Sequence, residues 1–191
     1  MTKLNLAHIE ADCDSIAPER VHGIWVQGCA IHCRGCHVPD LWPFRPANLT
    51  TPAEVMEKLT AERARGIALL GGEPLNQAIA VRGLLQRARA QGMGTTLYTG
   101  YERDVVLHRH PWITELVDLL IAGPFVESRR CPGTEYRGSD NQTLDWLTTR
   151  YRREEREVEP CEVHIGEDGR LFFCGFADPE LVRSITEGGH S

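Results

Sequence analysis

Short apolar runs alternate along the chain with stretches whose apolar positions recur at a helical period. Val21 to Gln27 (VHGIWVQ), Gly66 to Leu70 (GIALL), Gly94 to Tyr98 and Val117 to Ala122 (VDLLIA) each predict a strand. Leu4 to Ile9 predicts another, at the start of the sheet. From Gln77 to Gln91, Val81, Leu84, Leu85 and Ala88 fall on one face, which predicts an amphipathic helix. Asn48 to Pro52 (NLTTP) predicts a helix start, with Thr51 as cap, Pro52 in the first turn and Glu54 at the third position; this helix is expected to reach about Arg65. Glu102 to His108 and Trp112 to Leu116 predict two short helices divided by Pro111. Strands alternating with helices predict a parallel sheet.

The tail has another character. Tyr151 to Pro160 (YRREEREVEP) is a charge run, expected to be a solvated helix face or linker. Glu162 to Ile165 and Arg170 to Phe173 predict a hairpin about Glu167-Asp168-Gly169. The division expected is residues 1–147 as the main domain and 148–191 as an extension packed on it.

The 191 residues suit one domain with a small appendage, and 41% hydrophobic with 25% charged residues is an ordinary globular composition. A net charge of −6 argues against nucleic acid as a partner. No apolar run reaches the ~18 residues of a membrane span, so no membrane association is expected. The first residues, MTKLNLAHIEADCD, do not read as a signal peptide, and a reducing cytoplasm is the expected location. Seven cysteines fit a pure disulfide framework poorly and point to metal.

Cys29, Cys33 and Cys36 form CxxxCxxC on one loop directly after a predicted strand. Thiolates at this spacing suit a soft metal centre. A structural zinc ion takes four ligands, which would enlist His37 or His32; His37 adjoins Cys36, and there is no second CxxC. A 4Fe–4S cluster held by three cysteines fits better, leaving one iron open for a ligand. Gly28 and Gly35 permit close backbone approach. CAIHCRGC, GGEP and TGY all follow predicted strands, so they should meet at one edge of a parallel sheet, where sites form.

The CxxxCxxC loop resembles the signature of the radical S-adenosylmethionine (SAM) enzymes. WVQGCAIHCRGCHVPDLW (25–42) is similar to the cluster loop of the glycyl-radical-enzyme activases, and GGEPL (71–75) to their loop for the cofactor's amine. YTGY (98–101), GPFVES (123–128) and YRGSDNQ (136–142) resemble, in the same order, activases of the anaerobic ribonucleoside-triphosphate reductase type. The likeness runs from about Val21 to Leu147. It departs at DSIAPERVHG, where activases carry Asp-Gly-Pro-Gly-x-Arg and only Pro18 and Arg20 correspond.

The resemblance implies a radical SAM oxidoreductase of activating type. A 4Fe–4S cluster on Cys29, Cys33 and Cys36 would reductively cleave SAM, and the 5′-deoxyadenosyl radical would abstract a hydrogen atom, most naturally from a glycyl-radical partner enzyme. Gly71, Gly72, Glu73 and Pro74 would hold the cofactor, with Glu73 accepting from its ammonium, and Thr99 and Gly100 would line it. A flavodoxin or ferredoxin would supply the electron. Arg137 and Asn141 match family positions, and Arg137 also suits a local ion pair with Asp140. The expected fold is α/β: an incomplete parallel (βα)6-type partial TIM barrel of about six strands with a small C-terminal β-hairpin. Trp25 and Trp42 read as core.

Two other readings compete. A stand-alone radical SAM enzyme such as an epimerase would need a thiol hydrogen donor, for which Cys174 (FFCGF) and Cys131 (RRCPG) are the candidates. A non-catalytic metal-binding module would need neither GGEP nor the βα repeat. Cys13, Cys131, Cys161 and Cys174 otherwise read as free, buried thiols.

Overall fold

Every residue of the strands β2 (Val21–Val26), β5 (Gly94–Thr99) and β6 (Leu119–Ala122) is buried, which requires cover on both faces of the sheet they form. The computed structural model describes residues 2–59, 63–131, 135–151, 159, 161–166, 169 and 171–187. With β1 (Leu4–Cys13), β3 (Asn48–Thr50), β4 (Gly66–Gly71) and β7 (Thr143–Trp146), these strands make a seven-stranded sheet in the order β3-β1-β2-β4-β5-β6-β7. The centre, β2-β4-β5-β6, is parallel, and the flanking strands β1, β3 and β7 pair antiparallel. The chain is thus α/β, as expected. The antiparallel margins are a finding beyond the βα pattern.

Alternate side chains divide between two cores. Ile24, Val26, Ile67, Leu69, Leu97, Leu120 and Ala122 face the helices α1 (Pro52–Glu57) and α2 (Ala78–Ala90), whose Val55, Val81, Leu84, Leu85 and Ala88 complete that core. Trp25, Ala68, Tyr98, Leu119 and Ile121 face the other way. They meet Cys13, Ile16, Ala17 and, from the tail, Cys174, Phe172 and Phe176. The tail is the hairpin β8 (Cys161–Ile165) and β9 (Leu171–Gly175) followed by α5 (Pro179–Glu187).

The N-terminus of α1 forms as expected. Thr51 accepts from Glu54 N while the Glu54 carboxylate accepts from Thr51 N, a reciprocal cap behind Pro52. Three local expectations change. The helix closes at Glu57, with Lys58 N donating to Val55 O, instead of reaching Arg65. Asn48–Thr50 extends to pair with β1, fixed by Leu4, Asn5 and Leu6, rather than joining the helix start. β1 runs four residues beyond Ile9, because Ile9, Glu10 and, past a bulge, Cys13 have partners on β2. α3 (Arg103–Arg109) and α4 (Ile113–Leu116) flank Pro111 as expected. Most of the charged run, 152–158 and 160, lies outside the described residues, as do 167 and 168 of the predicted turn.

Candidate functional site

Parallel pairing sets the ends of β2, β4, β5 and β6 side by side: Val26 opposes Gly71, and Thr99 opposes Ala122. The loops that leave these ends are the cysteine loop, GGEP, TGY and GPF. They converge, as the strand order requires, around a cavity of about 850 Å³. Cys29, Cys33, Cys36, Gly71, Gly72, Glu73, Thr99 and Gly100 all line it. Pro74 lies just behind, buried as the first residue of a 3₁₀ turn.

The cysteine loop is sewn to GGEP through backbone. Gly72 N donates to Val26 O (2.8 Å) and Glu73 N to Gly28 O (2.9 Å). A Cβ on Gly72 would stand 2.4 Å from Gly28 O, so this approach demands glycine. Gly28 itself turns with φ +101° and Gly71 with φ +104°. Asn76 accepts from Ala30 N (3.0 Å) and donates to the Tyr101 hydroxyl (2.9 Å), which links three loops.

Glu73 is 1% exposed and is committed to the protein itself. Its Oε1 accepts from Leu75 N (2.8 Å) and Thr99 Oγ1 (2.9 Å), and its Oε2 from Gly100 N (2.9 Å). The carboxylate ties GGEP to TGY. Burial pushes its pKa up to about 7, against the pull of these three bonds.

All seven cysteines are free thiols. Burial raises the Cys33 thiol, partly offset by the Phe125 backbone N–H at its sulfur. Among the described residues, no three His, Cys, Asp or Glu side chains gather as a single ion would require. Three cysteines on one loop at the cavity wall, Cys29, Cys33 and Cys36, are a donor set that could hold a 4Fe–4S cluster. Neither candidate fourth ligand joins the thiols. His32 stacks on Trp42 at 4.8 Å. His37 lies edge-on to Phe125 (4.8 Å) and Phe176 (5.5 Å), and burial, then Arg130, lowers its pKa to about 4, leaving the ring neutral.

Other expected residues fall elsewhere. Cys174 is fully buried beside Cys13 and does not line the cavity; Cys131, half-buried, also stands outside it. Cys161 is half-buried as well, so only Cys13 and Cys174 of those four are the buried thiols expected. Trp42 is a half-buried cavity residue, not core, whereas Trp25 is both buried and cavity-lining. Arg137 does not pair with Asp140: Arg129 takes that carboxylate, and Arg137 donates to Gln142 O (3.2 Å). Asn141 donates to Pro124 O and Gln142 to Gly123 O, so YRGSDNQ buttresses the GPF loop.

The cavity wall that sequence reasoning missed comes from the tail. Phe172, Phe173, Phe176, Ala177 and Val182 line it, and nothing in FFCGFADP signals that placement. The hairpin is clasped to β1 through carboxylates and imidazoles. Glu10 meets His8 (2.8 Å) and His164 (2.8 Å), His164 meets Glu162 (3.0 Å), and Glu162 accepts from Asp14 N (2.7 Å). Ser15 donates to Cys174 O (2.9 Å), and His8 packs on Phe172 at 4.2 Å.

Residues 20–145 match the model of the 4Fe-4S single cluster domain family, a span that contains all four loops and stops short of the tail. The chain is 30% identical over 135 residues to the anaerobic ribonucleoside-triphosphate reductase-activating protein of Vibrio cholerae, covering 65% of this chain and 86% of that protein. It is 30% identical over 133 residues to the protein of the same name from Escherichia coli K12, with the same coverage. It is 29% identical over 128 residues to the pyruvate formate-lyase-activating enzyme of Clostridium pasteurianum, covering 62% of this chain and 52% of that enzyme. The chain belongs to the 4Fe-4S single cluster domain family, together with these reductase-activating proteins.

Proposed function

We propose that this chain cleaves SAM reductively at a 4Fe–4S cluster on Cys29, Cys33 and Cys36 and activates a glycyl-radical partner enzyme. The observation that carries the reading is the convergence of the three thiols with GGEP and TGY on one cavity at the strand ends. A cluster held by Cys29, Cys33 and Cys36 would supply the electron for breaking the sulfonium bond of SAM, so that a hydrogen atom could be taken from the target glycine.

The protein's own part is geometry and exclusion of water. Gly71 and Gly72 let the GGEP backbone approach the cofactor's aminoacyl end. Glu73 has three of its roughly four acceptor positions filled by Leu75, Thr99 and Gly100, so its work is to hold the two loops in register. Any bond to the cofactor's ammonium would use the remaining position. Thr99 and Gly100 line the same space. Residues 1–147 form the chemical core, a partial barrel whose inner face is the Trp25–Tyr98–Ile121 side, and 148–191 are an extension whose described hairpin packs on that face through Phe172, Cys174 and Phe176. The electron comes from a flavodoxin or ferredoxin, and the chain works in the cytoplasm. Neither Cys174 nor Cys131 reaches the cavity, so no observation favours a thiol-dependent epimerase.

The test is electron paramagnetic resonance. The reconstituted, reduced protein is mixed anaerobically with SAM and an anaerobic ribonucleoside-triphosphate reductase encoded by the same genome. A glycyl-radical doublet that requires SAM supports the reading. SAM cleavage with no radical on the reductase would contradict the assigned partner.

A further inference from the structure

Arg130 enters the cavity wall from the loop after β6 and is held in place from two sides. Its guanidinium carbon lies 5.4 Å from the centre of the Phe125 ring, and Nη1 donates to Ala177 O of the C-terminal extension (3.2 Å). Its neighbours are neutralised: Arg129 pairs with Asp140, and Arg34 with Glu127. Arg130 has no carboxylate partner among the described residues, although it is half-buried. The cavity it lines is mostly apolar, with Phe125, Phe172, Phe176 and Val38 in the wall, although Asp40, Glu73 and Glu127 line it too.

A guanidinium presents five donors in a planar fork, and among the described residues one has a protein acceptor. Stacking on Phe125 and the bond to Ala177 limit its rotation, so little entropy is lost on engaging a ligand. Low polarity nearby strengthens its attraction for an anion. We propose that Arg130 is a specificity-determining residue that recognises a negatively charged group, a carboxylate or phosphate, on the molecule presented to the cavity. The substrate is assigned as the source because Arg130 is anchored by the extension, which lies outside the loops proposed to hold SAM. That assignment rests on reading the cavity as the meeting place of SAM and substrate. The extension, outside the matched family span, is then part of the recognition site through Ala177.

The test uses the full chain, anaerobically reconstituted, as wild type, Arg130→Gln and Arg130→Lys. Thermal unfolding is followed with acetate or inorganic phosphate against chloride at constant ionic strength. Affinities for SAM and for decarboxylated SAM are measured by calorimetry. The expected result is stabilisation of the wild type by acetate or phosphate, lost in Arg130→Gln and partly kept in Arg130→Lys, with SAM affinity unchanged. An equal anion response in wild type and Arg130→Gln, or none in wild type, overturns the inference. Weakened binding of SAM, but not of its decarboxylated form, in Arg130→Gln makes the cofactor's own carboxylate the anion and overturns the substrate assignment. Wild-type protein that binds no SAM counts against the proposed function, while the anion titration still decides the role of Arg130.

Discussion

At the scale of single residues, Glu73 shows how a motif residue acts through its neighbours. Its carboxyl titrates near 7 in the folded chain against an ordinary 4.5, because burial outweighs three hydrogen bonds. The folded state therefore holds the proton more tightly than the unfolded state. Stability falls as pH rises from 4.5 towards 7 and is flat above that window. Denaturant unfolding at about pH 5 and about pH 8 should show a loss of about 2–3 kcal/mol from this group. Glu73→Gln should lack that component, and its amide would set a donor against Gly100 N–H, loosening TGY. An identical pH dependence in the variant would mean that the carboxyl is not buried as described. The sequence marked Glu73 as a site residue, since GGEP follows a strand. It could not show the carboxylate's three partners, because Thr99 and Gly100 lie 26 and 27 positions away.

At the scale of elements, the hairpin β8–β9 was legible from its alternation and turn, but its docking face was not. Phe172 and Phe176 bury against Trp25 and Tyr98 of the central strands, a long-range choice that local pattern does not encode. The clasp at His164 makes this docking dependent on pH. Burial works to lower its pKa, yet the bonds to Glu10 and Glu162 prevail and hold it above 6.5. The facing groups also include His8, Asp12, Asp14 and Arg20, with Arg20 bridging the two aspartates. A histidine raised in the folded state stabilises fully below its unfolded pKa and loses that contribution as pH rises through the folded one. Hydrogen-exchange protection factors across 161–165 and 171–175, taken relative to the intrinsic exchange rate at each pH, should therefore be higher in mild acid than in mild alkali. His164→Ala should abolish the difference, at a cost of about 1 kcal/mol or less given solvent screening. Unchanged exchange in the variant would leave the hairpin held by its apolar contacts alone.

At the scale of the whole molecule, the two ends of the parallel strands have separate tasks. The carboxyl ends carry the cavity. At the opposite end, buried Asp118 binds Arg89, Thr148 and both the backbone N–H and the hydroxyl of Thr95. Glu19, beside Gly94 at the start of β5, joins Arg150 and Tyr151. Asp118→Ala would leave the buried Thr95 N–H and hydroxyl without their acceptor and should cost about 1–3 kcal/mol, while SAM cleavage per folded molecule stays unchanged. A selective loss of cleavage would place chemistry at the wrong end of the sheet. The strand–helix alternation made the parallel centre and its edge of loops legible. The antiparallel margins β1, β3 and β7 were not, because Asn48–Thr50 and Thr143–Trp146 are too short to show a period and take their conformation from their partners.

The central claim is that the three-thiol loop supports reductive cleavage of SAM. The most direct measurement is 5′-deoxyadenosine formed by the reduced, reconstituted protein with SAM alone, beside Cys29→Ala, Cys33→Ala and Cys36→Ala variants. Product from the wild type and none from any variant is the predicted result. A wild type that carries a reduced 4Fe–4S cluster, binds SAM and still forms no 5′-deoxyadenosine, with or without its partner enzyme, would contradict it.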